Sequence, residues 1–172
     1  MLCGALSLQA CTGCEIDVGD DCIAIKSGRN QDARRIGRGT KRVVIQNNMF
    51  RDGHGGITIG SEITGGVQKV YVRDNIMDSP RLWSAFRFKS NGIWGGLVDH
   101  CYYADNQIRQ LENGRTCVLV EADYEIKIEW AVFTDRNVNY QEELPGFRHI
   151  YMKGLGQEDI TVVGEIFHRK SM

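Results

Sequence analysis

Short apolar runs alternate with glycine, asparagine, aspartate and serine along most of the chain. Cys22-Ile23-Ala24-Ile25, Val43-Val44-Ile45, Ile57-Thr58-Ile59, Val70-Tyr71-Val72, Ala85-Phe86-Arg87-Phe88 and Cys117-Val118-Leu119-Val120 are such runs. Ile126-Lys127-Ile128, His149-Ile150-Tyr151-Met152 and Ile160-Thr161-Val162-Val163 continue the series. Each has the length of a strand, and none is long enough to predict a helix. Three segments also resemble one another: Val43-Val44-Ile45-Gln46-Asn47-Asn48-Met49-Phe50, Val70-Tyr71-Val72-Arg73-Asp74-Asn75-Ile76-Met77 and Cys101-Tyr102-Tyr103-Ala104-Asp105-Asn106-Gln107-Ile108. Their aligned asparagines, Asn48, Asn75 and Asn106, fall 27 and 31 residues apart. After the first two comes a further strand ending at Gly60-Ser61 or Lys89-Ser90. A loose repeat of this period, with two or three short strands per turn, predicts a parallel β-helix. Each coil stacks on the next, and equivalent asparagines can form a hydrogen-bonded ladder. A β-sandwich would instead need hairpin turns between mirror-related strands. Asn91-Gly92 and Asn113-Gly114 are present, but the unit around them repeats without mirror symmetry.

Composition supports the all-β reading. Isoleucine and valine total 29 against 17 leucines and alanines, and glycine reaches 20 against 2 prolines. β-Branched side chains suit strands, so helix bundles and coiled coils are excluded. With 21 basic and 22 acidic residues the net charge is −1, which gives no support to a nucleic-acid or polybasic membrane partner. No apolar run approaches the roughly 18 residues a membrane span requires. The opening residues, 1–11, lack the basic n-region of an export signal and read as the tail of a strand. Six cysteines (Cys3, Cys11, Cys14, Cys22, Cys101 and Cys117) have no disulfide-framework spacing. Cys11-x-x-Cys14 has no second pair at zinc spacing, so no metal site is predicted and the thiols read as small buried hydrophobes. No linker marks a boundary, and residues 1–172 are read as one β-helix domain. The charge-rich, less regular residues 121–172 are the candidates for the final coils and their cap.

Three clusters could do chemistry. Asp17-Val18-Gly19-Asp20-Asp21 precedes the apolar Cys22-Ile23-Ala24-Ile25 run. Adjacent aspartates repel unless solvated, bound to a cation or functional. In an ideal strand Asp20 and Asp21 face opposite sides, and Gly19 allows a bend that brings both to one cleft. A solvated acidic turn is the plainer alternative. In Asp52-Gly53-His54-Gly55-Gly56 the imidazole is flanked by glycines that leave space around it and a backbone free to turn. A surface histidine is the alternative there. In Arg87-Phe88-Lys89, period-two alternation puts both cations on one face and Phe88 on the other. Such a pair wants an anion, either a substrate carboxylate or neighbouring acids.

In this order, Gly-Asp-Asp, Gly-His-Gly followed by Ile-Gly-Ser, and Arg-x-Lys resemble glycoside hydrolase family 28, the polygalacturonase family. Asp-Val-Gly-Asp-Asp-Cys-Ile-Ala-Ile-Lys-Ser-Gly stands nearly whole, and the resemblance runs over about residues 11–124. It implies a right-handed parallel β-helix that hydrolyses α-1,4 links between galacturonic acids in pectin with inversion, without metal or organic cofactor. By motif, Asp20 resembles the general acid and Asp21 a carboxylate that activates water. His54 is similar to the histidine supporting the acid's protonation, and Arg87 and Lys89 to the pair gripping a galacturonate carboxylate. Tyr124 matches a substrate-side tyrosine through a weak local motif. A general acid needs a raised pKa, which a neighbouring carboxylate is expected to supply here. The family also carries Asn-Thr-Asp-Gly one coil earlier, and counting back one coil from Asp20 runs off the first residue. The expectation is therefore a fragment whose N-terminal coils and cap lie outside the chain. Relatives are expected to be secreted or periplasmic monomers acting on pectic polysaccharide. A non-catalytic β-helix that binds acidic polysaccharide or serves in adhesion is the competing reading. A calcium-dependent pectate-lyase-like solenoid is a third, against which the Gly-His-Gly coil speaks.

Overall fold

The computed structural model of the chain describes residues 2–3, 9–92, 94–121, 124, 146–152 and 160–162. Its strands cycle through three sheets, visiting each once per coil. The first sheet holds β1 (Leu2–Cys3), β4 (Ile23–Ile25), β7 (Ile57–Gly60), β10 (Phe86–Lys89) and β13 (Val118–Glu121). The second holds β2 (Gln9–Thr12), β5 (Thr40–Gln46), β8 (Val67–Arg73), β11 (Leu97–Ala104) and β14 (Gly146–Met152). The third holds β3 (Glu15–Ile16), β6 (Met49–Phe50), β9 (Ile76–Asp78) and β12 (Gln107–Gln110). Successive strands within each sheet pair in parallel. β15 (Ile160–Val162) differs, returning antiparallel against β14. The fold is a parallel β-helix, as the repeat predicts. Ile126-Lys127-Ile128 lies outside the described residues.

The core is built from columns of like side chains, because register places one coil's inward residue over the next. Ile23 lies beside Ile57, which lies beside Phe86; Ile25, Ile59 and Phe88 form the parallel column. All six are buried. Val43, Val70, Cys101 and Ile150 form a column from the second sheet, and Ile45, Val72 and Tyr103 another. Phe50 and Met77 close the third side. Strict alternation fails once in the second sheet, where the inward residues Thr40 and Val43 are separated by two outward ones. Arg42, Lys69 and His100 take left-handed backbone conformations there, with φ of 58, 58 and 54°. Three stacked irregularities thus shift the inward phase at the same point of three coils.

The sequence predicts no helix, and here the structure differs: α1 (Asn30–Ile36) bulges out between β4 and β5. Asp32 in its first turn and Arg34 and Arg35 in its last complement the helix dipole. Gly37, at φ 63°, ends it through an N–H bond to the Ala33 carbonyl at 2.9 Å. Among its seven residues Ala33 alone is buried, so it carries no apolar periodicity to read. The cysteine expectation holds for Cys11, Cys22 and Cys101, which are buried, but not for Cys14, which is exposed. Burial, aided at Cys22 by the nearby Asp21 charge, pushes the Cys22 thiol up to about 12. Burial does the same to Cys101, also to about 12. Neither is a thiolate near neutral pH.

Between the second and third sheets each coil bends at a residue suited to positive φ: Gly13, Asn47, Asp74 and Asp105, at 68, 55, 55 and 54°. The next asparagine turns inward. The Asn48 side-chain amide donates to Asn75 Oδ1 at 3.0 Å, and that of Asn75 to Asn106 Oδ1 at 2.8 Å. Each amide also reaches back to a carbonyl of the preceding coil: Asn48 to Cys11, Asn75 to Ile45 and Asn106 to Val72, all at 3.1 Å. The ladder satisfies backbone groups that a tight buried bend would otherwise orphan. Asn75→Ala should cost about 2–4 kcal/mol, because it strands the buried Asn48 backbone N–H and removes the side-chain donor to the Ile45 carbonyl and to Asn106 Oδ1. Urea unfolding followed by circular dichroism measures that loss, and an unshifted midpoint would show the ladder to be dispensable. Tyr103 predicts the opposite sign. Its buried hydroxyl has no hydrogen-bond partner among the described residues, while its ring packs edge-on against Phe86 and Phe88. Tyr103→Phe keeps the ring and should raise stability by up to about 1 kcal/mol in the same measurement.

Candidate functional site

The three clusters singled out in the sequence meet at the first sheet. Asp20 and Asp21 lead through Cys22 into β4, His54 precedes β7, Arg87 and Lys89 lie on β10, and Tyr124 follows β13. Parallel pairing makes these segments neighbours. The His54 N–H donates to the Asp20 carbonyl at 3.1 Å, and the Cys22 N–H to that of Gly55 at 2.8 Å. The Tyr124 N–H donates to the Ser90 carbonyl at 2.9 Å, while the Asn91 amide donates to the Tyr124 carbonyl at 2.8 Å.

The two aspartates have different surroundings. The Asp20 side chain is 82% exposed, and its Oδ1 lies 3.2 Å from His54 Nδ1. The Asp21 side chain is 7% exposed; its Oδ2 lies 2.7 Å from Lys89 Nζ, and its Oδ1 3.6 Å from an Arg87 terminal nitrogen. Asp21 Oδ1 makes no hydrogen bond among the described residues. The aspartates are joined by the Asp21 N–H, which donates to Asp20 Oδ1 at 2.8 Å. That bond holds the Asp20 carboxyl below its ordinary value against the opposing pull of slight burial, and the nearby His54 and Lys89 side chains add to the lowering. The expectation that a neighbouring carboxylate raises Asp20 is therefore not met. Lys89 and Arg87 take up the Asp21 charge before it can act on Asp20, and the same residue's N–H stabilises the ionised form.

Phe88 is buried in the core while Arg87 and Lys89 face the cluster, as alternation requires. Both cations have protein anions. Arg87 Nε donates to Glu121 Oε2 at 2.7 Å, and Lys89 pairs with Asp21 as above. Of the two readings of Arg-x-Lys, neighbouring acids are what the structure holds. The Tyr124 ring lies against both, its centroid 4.7 Å from Lys89 Nζ and 5.4 Å from the Arg87 guanidinium carbon. The glycines around His54 have packing reasons. A Cβ on Gly55 would stand 2.4 Å from the Thr58 hydroxyl and 3.1 Å from Asp21 Oδ1. One on Gly53 would stand 2.7 Å from both the Asp20 carbonyl oxygen and the Cys22 sulfur. The His54 loop approaches the aspartates closely only because these two residues lack side chains.

Two participants escaped the sequence reading. Glu121 is Lys89's direct cross-strand neighbour. Extending the coil register by one strand would have found it, since opposite charges pair across strands. Trp83 stacks on His54 with centroids 3.8 Å apart and planes 20° from parallel. It sits outside any strand and had no periodic signal. Among the described residues no group of three or more His, Cys, Asp or Glu side chains could hold a metal ion, and no helix is long and apolar enough to cross a membrane.

The sequence model of glycosyl hydrolases family 28 matches residues 8–136. The chain belongs to that family. It is 25% identical over 156 residues to an exo-poly-α-D-galacturonosidase of Dickeya chrysanthemi, covering 84% of this chain and 25% of the relative. It is 36% identical over 90 residues to a polygalacturonase of Ralstonia nicotianae, covering 51% of this chain and 15% of the relative. The chain thus spans a quarter or less of the length of these curated relatives. A hyperthermoactive exopolygalacturonase from Thermotoga maritima shares the fold, with a TM-score of 0.55 at 22% identity over 96% of this chain and 47% of that one.

The depressed Asp20 carboxyl predicts a pH signature. Its folded pKa lies below the unfolded one, so its stabilising contribution is present above the unfolded value of about 3.9 and is lost as pH falls through the folded value. Asp20→Asn should therefore be less stable than the parent at neutral pH, and the gap should close on acidification below about pH 4. Urea midpoints of the two proteins across that range test this. A gap independent of pH would mean that Asp20 does not sense its charged neighbours.

Proposed function

We propose that the chain carries the catalytic face of a pectic-acid hydrolase acting on α-1,4-galacturonosidic bonds by inversion. The observation that carries this reading is the pairing of two unlike carboxylates at one sheet edge. Asp20 is solvent-facing beside an imidazole, and Asp21 is buried between two cations. Glycoside hydrolysis needs one carboxyl to protonate the leaving oxygen and another to activate water. Asp20 takes the first role because it alone reaches solvent and touches His54. Asp20 starts out ionised. A sugar seated over it would strip away water and bring a second negative charge from the galacturonate carboxylate, and both raise a carboxyl pKa. Asp21, paired with Lys89 and near Arg87, takes the base role. Lys89 and Arg87, with Tyr124 against them, are the cations at this edge that a substrate carboxylate would meet, in competition with Asp21 and Glu121. Membership of the family and the galacturonan-cleaving names of the relatives support the substrate class.

Reducing ends released from polygalacturonate, with and without added calcium, test the reading. Calcium-independent hydrolysis should fall about 10²–10⁴-fold in Asp20→Asn, the usual contribution of a general acid. It should also weaken on fully methyl-esterified substrate, which has no carboxylate to read. Tight binding of oligogalacturonate by the parent chain without release of reducing ends would instead make it a polysaccharide-binding β-helix. Calcium-dependent release of unsaturated products would make it a lyase.

A further inference from the structure

We propose that Trp83 is a positioning residue for His54, fixing the plane of the imidazole so that Nδ1 meets Asp20; the proposal rests on the function read above. His54 stands between two glycines, so its chain neighbours offer the ring no wall. The next coil supplies one. The Trp83 N–H donates to the Gly53 carbonyl at 3.0 Å, and the Ser84 hydroxyl donates to the His54 carbonyl at 3.3 Å. The backbone on either side of the imidazole is thereby tied to the segment that presents the indole. The imidazole lies on that indole at 3.8 Å. The Arg115 guanidinium carbon lies 4.5 Å from the indole centroid, with Arg115 Nε anchored to Glu112 at 3.1 Å. The indole is thus held between contacts to His54 and to Arg115.

These contacts decide between two roles. A tryptophan beside a glycosidase site ordinarily reads as a platform on which a sugar ring stacks, and a platform needs an open face. Trp83 is only partly exposed and is flanked by both the imidazole and the guanidinium, so it acts through the imidazole. The stack fixes the ring plane, and the 3.2 Å contact with Asp20 fixes which edge points at the carboxylate. A carboxylate in that place selects the tautomer with its proton on Nδ1. Rotation of the ring would break the contact, and misplacement of a catalytic group by about 1 Å can cost about 10²-fold in rate.

The experiment compares the full chain with Trp83→Phe and Trp83→Ala, reading the His54 imidazole by ¹⁵N–¹H NMR, assigned with His54→Gln, and steady-state hydrolysis of polygalacturonate. The expected result is a single Nδ1–H tautomer in the parent, with ring protons moved upfield by the indole. Trp83→Phe keeps most of this, and Trp83→Ala loses both features. Turnover in Trp83→Ala should fall in kcat by about ten- to a hundred-fold, with KM within about two-fold, and Trp83→Phe should recover most of it. Should Trp83→Ala fail to fold, Trp83→Leu fills the space without an aromatic face and takes its place. Unchanged His54 resonances on loss of the indole overturn the proposal, as does a raised KM at constant kcat, which would mark a sugar contact. A parent chain with no hydrolysis overturns the functional reading alone, and the NMR comparison still decides this one.

Discussion

The candidate site depends on parallel backbone pairing in a fixed register between successive coils. Asp20, His54, Lys89 and Tyr124 lie in four separate segments of the sequence, and none of these is joined to the next by a short turn. They become neighbours because β4, β7, β10 and β13 lie side by side, each coil adding one segment to the same edge. A slip of one residue in β10 would turn Arg87 and Lys89 into the core and Phe88 outward, exchanging two buried cations for an exposed ring. Register is held at two places. Isoleucine and phenylalanine columns interlock inside, and the ladder of Asn48, Asn75 and Asn106 pins each bend to the next.

The electrostatics at that edge follow from burial as much as from charge. Asp21, Arg87, Lys89 and Glu121 balance one another in a mostly buried group, whereas Asp20 stays in water with His54 as its side-chain partner. Two adjacent aspartates thus sit in unlike surroundings, one in water and one among cations. The neutralised cluster also sets the starting state of Asp20, whose ionised form gains a backbone hydrogen bond from Asp21. A buried ion-pair network and a solvent-facing carboxylate share one dipeptide, and the difference between them is access to solvent.

Close approach is the other requirement, and glycine supplies it. The His54 loop can lie against the aspartate turn because Gly53 leaves room for a carbonyl and a sulfur, and Gly55 for a hydroxyl and a carboxylate, that any Cβ would crowd. The room that frees the loop also leaves the imidazole without support from its own coil. Trp83, Ser84 and Arg115 come from later segments, so this part of the site is assembled only when further coils have stacked.

The parallel β-helix was legible in the sequence because stacked coils demand the same chemistry at the same point of every turn. The β-branched columns, the asparagine spacing and the Arg-x-Lys alternation are local patterns with a period. The residues Asp20, Asp21, His54, Arg87 and Lys89 were visible for a similar reason, each sitting in a short motif at a strand end, and Tyr124 more faintly. Helix α1 was not visible, because a helix that buries one alanine leaves no apolar stripe. The left-handed residues Arg42, Lys69 and His100 were not visible either, since nothing in those side chains announces positive φ. Tertiary structure alone decided which anions Arg87 and Lys89 meet, that the Asp20 carboxyl is lowered rather than raised, and that an indole faces His54. These are properties of contacts between coils: they depend on distance and on exclusion of water, and neither is encoded in the spacing of residues along a single turn.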